Sequence, residues 1–171
     1  MIEILKQSLW KQFGASIDML KNAIALWPEE RWDSKPKFFY IAYHTLFFLD
    51  YYLTIPVKGF SPRLAFTLTE PQNIPDGALD DLVPSRIYSK GELLSYLQSS
   101  REKCHTLIAG LTEERLNERW IEEHGNRDYA LIELLFYNMR HVQHHAAQLN
   151  MLLRTEINFA PDWVSRADDG L

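Results

Sequence analysis

Four long segments of this sequence repeat apolar residues at steps of three and four, which is the spacing along one face of an α-helix. Alternating strand patterns of comparable length are absent, and 171 residues is a single-domain length. We therefore predict an all-α four-helix bundle that forms one domain over residues 1–171. The predicted helices span residues 2–27, 38–54, 89–111 and 128–154, and a tail follows over 155–171.

Local signals mark the ends of these helices. Pro28 and Pro56 end the first and second helices, because proline cannot continue a helical hydrogen-bond ladder. The run Ser89-Lys90-Gly91-Glu92 is typical of a capping box and predicts the start of the third helix. Asp128 is expected to cap the fourth helix.

The connection between the second and third helices is long and rich in proline. Five of the eight prolines of the chain lie between positions 56 and 84. So long a connection inside a compact domain is usually functional or flexible. We expect the 54–88 segment to be a lid over a site, a packed cover, or part of a dimer interface.

The overall charge and the cysteine count restrict the class of protein. A net charge of −5 and an isoelectric point near 5.7 argue against a nucleic-acid partner, because such binding depends on Lys and Arg that neutralise phosphates. The single cysteine, Cys104, excludes an internal disulfide and a cysteine-rich zinc site. A reducing compartment, and hence the cytoplasm, is the expected location.

The sequence also predicts that the protein has no membrane partner. Its longest apolar stretch, Phe38–Leu53, has 16 residues and contains His44 and Asp50. A membrane-spanning helix needs about 20 apolar residues, so this stretch is predicted to be a core helix. The N-terminal segment has charged residues within an amphipathic pattern, which is typical of a helix and not of a signal peptide.

Three histidines occupy positions that a helical wheel places on the inner faces of the bundle. His141 and His145 are one turn apart within the apolar stripe of the fourth helix. His44 lies on the inward face of the second helix, among aromatic residues. His144 falls about 100° from the centre of the stripe and is expected at its boundary.

Three buried imidazoles favour a metal site. Burial of unpaired imidazole is costly, and three imidazolium cations would repel one another. A divalent ion bound by His44, His141 and His145 resolves both problems, since neutral imidazole is a common metal ligand. Zinc or nickel is the favoured ion, with iron or manganese as alternatives. Three protein ligands leave an open coordination position, which is typical of catalytic sites.

These residues also resemble the metal-binding motif of the DinB-like superfamily. The similar elements are Tyr43-His44-Thr45-Leu46 in the second helix and Arg140-His141-Val142-Gln143-His144-His145-Ala146-Ala147-Gln148-Leu149 in the fourth. The resemblance implies a four-helix bundle, often dimeric, with a divalent ion on His44, His141 and His145. It also implies relatives that are transferases or isomerases dependent on low-molecular-weight thiols. It does not imply DNA binding.

Other kinds of site fit the sequence less well. A di-iron carboxylate site needs two Glu-x-x-His pairs, and the only such pair, Glu102 with His105, is predicted on the outside or edge of the third helix. Haem ligation by Met139 or Met151 is disfavoured because neither lies on the face of His141 and His145. Cys104 lies in the core stripe and is interpreted as a small apolar residue.

The aromatic residues of the second helix are too widely spread for one core stripe. Rings on its back face predict a second buried surface, formed by a subunit contact or by the 54–88 segment. We favour a homodimer. The aromatic residues concerned are Phe38, Phe39, Tyr40, Tyr43, Phe47, Phe48, Tyr51 and Tyr52.

Two functions agree with these features. The first is a metal-dependent transferase or hydrolase, in which the ion activates a thiol or water for attack on a small-molecule substrate. The second is a non-catalytic, metal-stabilised bundle that serves as an interaction module. Asn138, one turn before His141, is expected to orient a substrate or, preferably, to hydrogen-bond a ligand histidine. The sequence identifies no catalytic residue.

Overall fold

The computed structural model describes residues 1–123 and 125–171, and these are mostly helical. Within these two ranges the chain forms four long helices, together with one helix of a single turn. The helices are α1 (Ile2–Leu26), α2 (Pro36–Tyr52), α3 (Lys90–Ala109), α4 (Glu113–Leu116) and α5 (Leu131–Ile157). Short 3-10 helices occur at Glu29–Arg31 and Pro71–Asn73.

The long helices pack pairwise around one large apolar core. Helix α5 lies against both α1 and α2, and α3 lies against the same two helices. Each helix turns a stripe of apolar residues inward, as its three-and-four spacing predicts. The largest fully buried side chains include Trp10, Phe13, Phe38, Phe39, Leu46 and Tyr96. The predicted all-α class is thus correct for the bulk of the described chain.

Helix α2 carries one acidic residue, Asp50, which the bundle neutralises. Nζ of Lys103 on α3 lies 2.6 Å from its carboxylate, and the hydroxyl of Tyr96 donates to the same carboxylate at 2.8 Å. A half-buried carboxylate with a cation and a hydroxyl as partners avoids the cost of an unpaired charge. This contact fixes α3 against the second half of α2.

The connection between α2 and α3 folds back over α2. It contains the antiparallel pair β1 (Phe66–Leu68) and β2 (Leu82–Pro84), in which Thr67 faces Val83. Tyr43 of α2 donates its hydroxyl to the Leu64 carbonyl at 2.7 Å. The connection therefore forms a packed cover over the back face of α2, which was one of the predicted arrangements.

A second hairpin precedes α5 and corrects the prediction for the fourth helix. Strands β3 (Arg119–Ile121) and β4 (Asp128–Ala130) pair antiparallel. The prediction that Asp128 caps the helix is wrong, because its carboxylate instead accepts from Arg119 at 2.8 Å. Helix α5 begins at Leu131 and continues to Ile157, three residues beyond the predicted end. Neither hairpin was predicted, since strands of three residues show no measurable alternation.

Other boundaries follow the sequence closely. The capping box is confirmed, because the Ser89 side chain accepts from the Glu92 amide while the Glu92 side chain accepts from the Ser89 amide. The tail packs along α1, where Gly14 permits a close approach: a Cβ at this position would lie 2.7 Å from the Cβ of Ala167. Among the described residues, no helix is long and apolar enough to cross a membrane.

Candidate metal centre

The packing of α2 against α5 brings together the three histidines that the sequence places on inner faces. His44 comes from the middle of α2, and His141 and His145 come from successive turns of α5. Their ring centroids lie 5.2 Å (His44–His141), 4.8 Å (His44–His145) and 4.5 Å (His141–His145) apart. One nitrogen from each ring lies within 4.8 Å of the other two, and we call these residues the three-histidine cluster.

Two nitrogens of this cluster are spaced as ligands of a single ion would be. Nε2 of His44 lies 3.2 Å from Nε2 of His141. Two nitrogens bound to one tetrahedral zinc ion at about 2.0–2.1 Å lie roughly 3.3 Å apart. Without an ion, one of the two nitrogens has to carry a proton and donate it to the other, because two lone pairs at this distance repel. The geometry and the donor atoms therefore fit a divalent metal.

His44 is oriented by a residue that sequence reasoning did not identify. Nδ1 of His44 lies 2.8 Å from Oδ2 of Asp80 in the connection between α2 and α3. Donation of the Nδ1 proton to this carboxylate leaves the lone pair on Nε2, which faces the cluster. A carboxylate behind a metal-binding histidine fixes its tautomer and raises its basicity. The other oxygen of Asp80 accepts from the Leu82 amide at 3.1 Å, which holds the carboxylate in place.

His145 has a comparable partner on its own helix. Its Nδ1 lies 2.7 Å from Oε1 of Gln148, one turn further along α5. Since an amide oxygen only accepts hydrogen bonds, this contact places the proton on Nδ1 and the lone pair on Nε2. His145 is buried, with 8% of its surface exposed. Its spacing of three residues from Gln148 is a signal that the sequence does contain.

His141 differs from the other two because its outer nitrogen is unpaired. Its Nδ1 is buried and has no hydrogen-bond partner in the described part of the chain. The ring packs between aromatic side chains of α2, with centroid distances of 5.7 Å to Phe48 and 6.2 Å to Tyr52. Apart from the contact between its Nε2 and that of His44, the ring is therefore held by apolar packing.

Burial keeps two of these rings neutral at physiological pH. The pKa of His141 is lowered from its usual 6.5 to about 3, first by burial and then by the neighbouring histidines His145, His44 and His144. Burial also lowers the pKa of His145 to about 4, although the hydrogen bond from its Nδ1 to Gln148 acts in the opposite direction. Neutral imidazole is the form that binds metal, so both rings are ready to act as ligands near pH 7.

Two neighbouring residues of the predicted site lie outside the cluster. Asn138 is fully buried, and its side-chain amide donates to the Leu49 carbonyl at 3.0 Å. It therefore ties α5 to α2. The amide nitrogen does not form the bond to a ligand histidine that the sequence suggested. The ring of His144 is exposed and packs against His145 at a centroid distance of 5.0 Å. This position at the boundary of the apolar stripe agrees with the helical-wheel prediction.

The alternative sites do not assemble. Cys104 is completely buried, and burial raises the pKa of its thiol far above the usual value, so the thiol stays protonated. His105 packs edge-on against Trp10, and its Nε2 bonds the Gly170 carbonyl at 3.0 Å, while Glu102 is exposed. The Glu102 and His105 pair thus faces the tail and surface, as predicted. In the described residues, the three-histidine cluster is the one group of at least three His, Cys, Asp or Glu side chains whose ligand atoms lie close enough together to hold one ion.

Comparison with known proteins places the chain in a family. The sequence profile of the DinB superfamily matches residues 12–149, a range that includes all three histidines of the cluster. The chain therefore belongs to the DinB superfamily, which confirms the resemblance seen in the histidine motifs. No curated protein and no solved structure shows significant similarity to the chain.

Proposed function

We propose that this chain is a single-domain, DinB-type four-helix bundle that binds one divalent metal ion through Nε2 of His44, His141 and His145. The observation that carries the proposal is the convergence of three imidazole nitrogens within 4.8 Å between two packed helices. Hydrogen bonds from Nδ1 of His44 to Asp80 and from Nδ1 of His145 to Gln148 support it, since each leaves the lone pair on the inner nitrogen. Zinc or nickel is the ion that imidazole ligands favour here, with iron or manganese as alternatives.

The proposed activity is that of a metal-dependent transferase or hydrolase. A divalent ion held by three histidines lowers the pKa of a water or a thiol and so supplies a nucleophile near neutral pH. The chain itself contributes orientation and exclusion of water. Asp80 fixes the ring of His44, Gln148 fixes that of His145, and Phe48 with Tyr52 shields His141 from solvent on the side of α2.

A surface depression next to the cluster favours an enzyme over a closed structural site. A depression of about 540 Å³ on the surface of α5 has His141 in its wall. Small-molecule sites commonly have volumes in this range. A metal that only stabilised the bundle would need no such access. A low-molecular-weight thiol is the co-substrate that we propose, as the family resemblance implies.

The test begins with metal analysis of protein purified without a nickel column. The proposal predicts up to about one divalent ion per chain, removal of the ion by a chelator, and restoration by added zinc or nickel. The loaded and chelated forms are then screened for transfer of low-molecular-weight thiols to electrophiles and for hydrolysis. Metal-dependent turnover supports the enzyme. Bound metal without turnover in either screen favours the non-catalytic module, and absence of bound metal after zinc addition refutes the proposal.

A further inference from the structure

The depression beside the three-histidine cluster has an unusual charge for this protein. We call it the α5 depression, and its wall consists of Tyr137, Arg140, His141, Gln143, His144 and Ala147. None of these residues is acidic, although the whole chain carries a net charge of −5. Arg140 is the one residue of the wall that carries a fixed charge, and that charge is positive. A site lined in this way attracts a negatively charged group.

Arg140 is free to bind such a group. Its side chain is exposed, and in the described part of the chain no carboxylate lies within 4.0 Å of it. Several other arginines form ion pairs with carboxylates, for example Arg101 with Asp18 and Asp169. An exposed, unpaired guanidinium keeps its full set of donors for a ligand.

A second arginine adds positive charge behind the same wall. Arg127, in the β3–β4 hairpin, donates to the hydroxyl of Tyr52 at 2.6 Å. The ring of Tyr52 packs edge-on against that of Tyr137, which belongs to the wall, at a centroid distance of 5.2 Å. Tyr137 in turn stacks on Tyr129 at 5.6 Å, so aromatic packing supports the wall on this side.

We propose that the α5 depression binds a carboxylate-bearing small molecule, with its carboxylate on Arg140 and its reacting end directed to the three-histidine cluster past His141. The proposal rests on the proposed function, because it specifies the class of substrate that the metal centre receives. A carboxylate is favoured because its two oxygens match the planar fork of one guanidinium. Arg127 strengthens the attraction through its charge without touching the ligand.

The test compares two thiols that differ only in charge. Cobalt-loaded protein is titrated with 3-mercaptopropionate and with neutral 3-mercaptopropionamide, and the absorption of the cobalt–thiolate bond gives a dissociation constant for each. We expect the carboxylate compound to bind about tenfold more tightly in the unmodified protein. The preference should weaken as salt is raised, because exposed charges are screened.

Variants at matched arginines identify the residue responsible. Arg140→Gln should reduce the preference for the carboxylate to threefold or less, roughly the value expected once the charged bond is lost. Arg154→Gln serves as the control, since Arg154 is another exposed arginine of α5, lies outside the depression and has no carboxylate within 4.0 Å in the described residues. This variant should keep the full preference. Equal binding of the two thiols by the unmodified protein, or equal losses in both variants, would overturn the proposal.

Failure of the metal proposal gives a different result. In that case cobalt addition produces no visible absorption band and elemental analysis finds no bound ion. The same two compounds are then compared on metal-free protein by saturation-transfer NMR. A carboxylate preference that depends on Arg140 would support the anion site even without a metal, and its absence would refute the site.

Discussion

Asp80 and His44 are 36 residues apart in the chain, yet the Asp80 carboxylate lies 2.8 Å from Nδ1 of the His44 ring. This bond joins the cover over α2 to the three-histidine cluster. It gives the connection between α2 and α3 a chemical role, because the orientation of one metal ligand depends on how that connection folds.

Asp80→Asn tests this role. The amide can still accept from the Leu82 amide, so the loop should keep its shape, but the negative charge behind His44 is lost. We expect a 10–100-fold loss of zinc affinity, a rough range for residues that support metal ligands, measured by competition with a chromophoric chelator. Asp81→Asn is the control. Asp81 is exposed, and its backbone carbonyl accepts from the amides of Thr69 and Val83. Equal affinities of the two variants would show that the Asp80 bond does not matter.

Gly77 holds the segment that carries Asp80 against α2. Its φ is +90°, and an added Cβ would lie 3.1 Å from the Cα of Lys37. Gly77→Ala should therefore destabilise the fold by about 1–3 kcal/mol and weaken zinc binding, because both strain and the clash move the loop. Gly59→Ala is the matched control, with a φ of +74° but open space around it. Thermal melts should show the larger loss for Gly77→Ala, and an equal loss would exclude the clash as a cause.

The adjacent histidines of α5 should differ sharply on substitution. His141→Ala removes a proposed ligand and should lower zinc affinity by at least about tenfold. His144→Ala should leave most of the zinc bound, because its ring lies on the exposed side of the helix. Zinc titrations of both variants measure the difference. Equal losses would mean that the assignment of inner and outer histidines on α5 is wrong.

Acid should remove the metal and weaken the fold over the same pH range. The pKa values of His141 and His145 in the folded chain are about 3 and 4, below the usual 6.5. As pH falls below 6.5, the unfolded chain takes up protons that the folded chain does not, so the free energy of unfolding decreases. Protons also compete with the ion for the imidazoles of the unfolded and opened chain. Both the bound metal and the stability of the fold should thus be lost progressively as the pH falls below about 6.5.

The measurement is the difference in melting temperature between zinc-loaded and chelated protein between about pH 4 and pH 8. An ion that binds only the folded chain raises the melting temperature near pH 7, and this gap should close toward pH 4. A gap that stays constant across the range would show that histidines are not the ligands.

The sequence predicts the long helices and the cluster because both follow from helical periodicity. Positions on a helix that are three or four residues apart share a face, so the inward orientation of His141 and His145 can be derived without coordinates. Packing of α2 on α5 then brings His44 to the same place. The assignment of these residues as metal ligands stays a prediction until an ion is measured.

Asp80 could not be found in this way. It lies in a proline-rich connection without periodicity, and its partner is determined by how that connection folds over α2. The Asp128 cap failed for a related reason, because a cross-strand bond to Arg119 competes with capping. Burial of the back face of α2 illustrates the same dependence: Phe60 and Phe66 of the connection contact Phe47 at centroid distances of 5.5 and 5.1 Å. The predicted homodimer stays a prediction.

The most direct test of the metal centre is the position of the ion itself. Crystals of zinc-loaded protein, measured on both sides of the zinc absorption edge, give an anomalous difference map that locates zinc independently of the protein atoms. We predict one strong peak at about 2.0–2.1 Å from Nε2 of His44, His141 and His145. A peak bound by other residues, or fully loaded crystals with no peak between these three rings, would contradict the account.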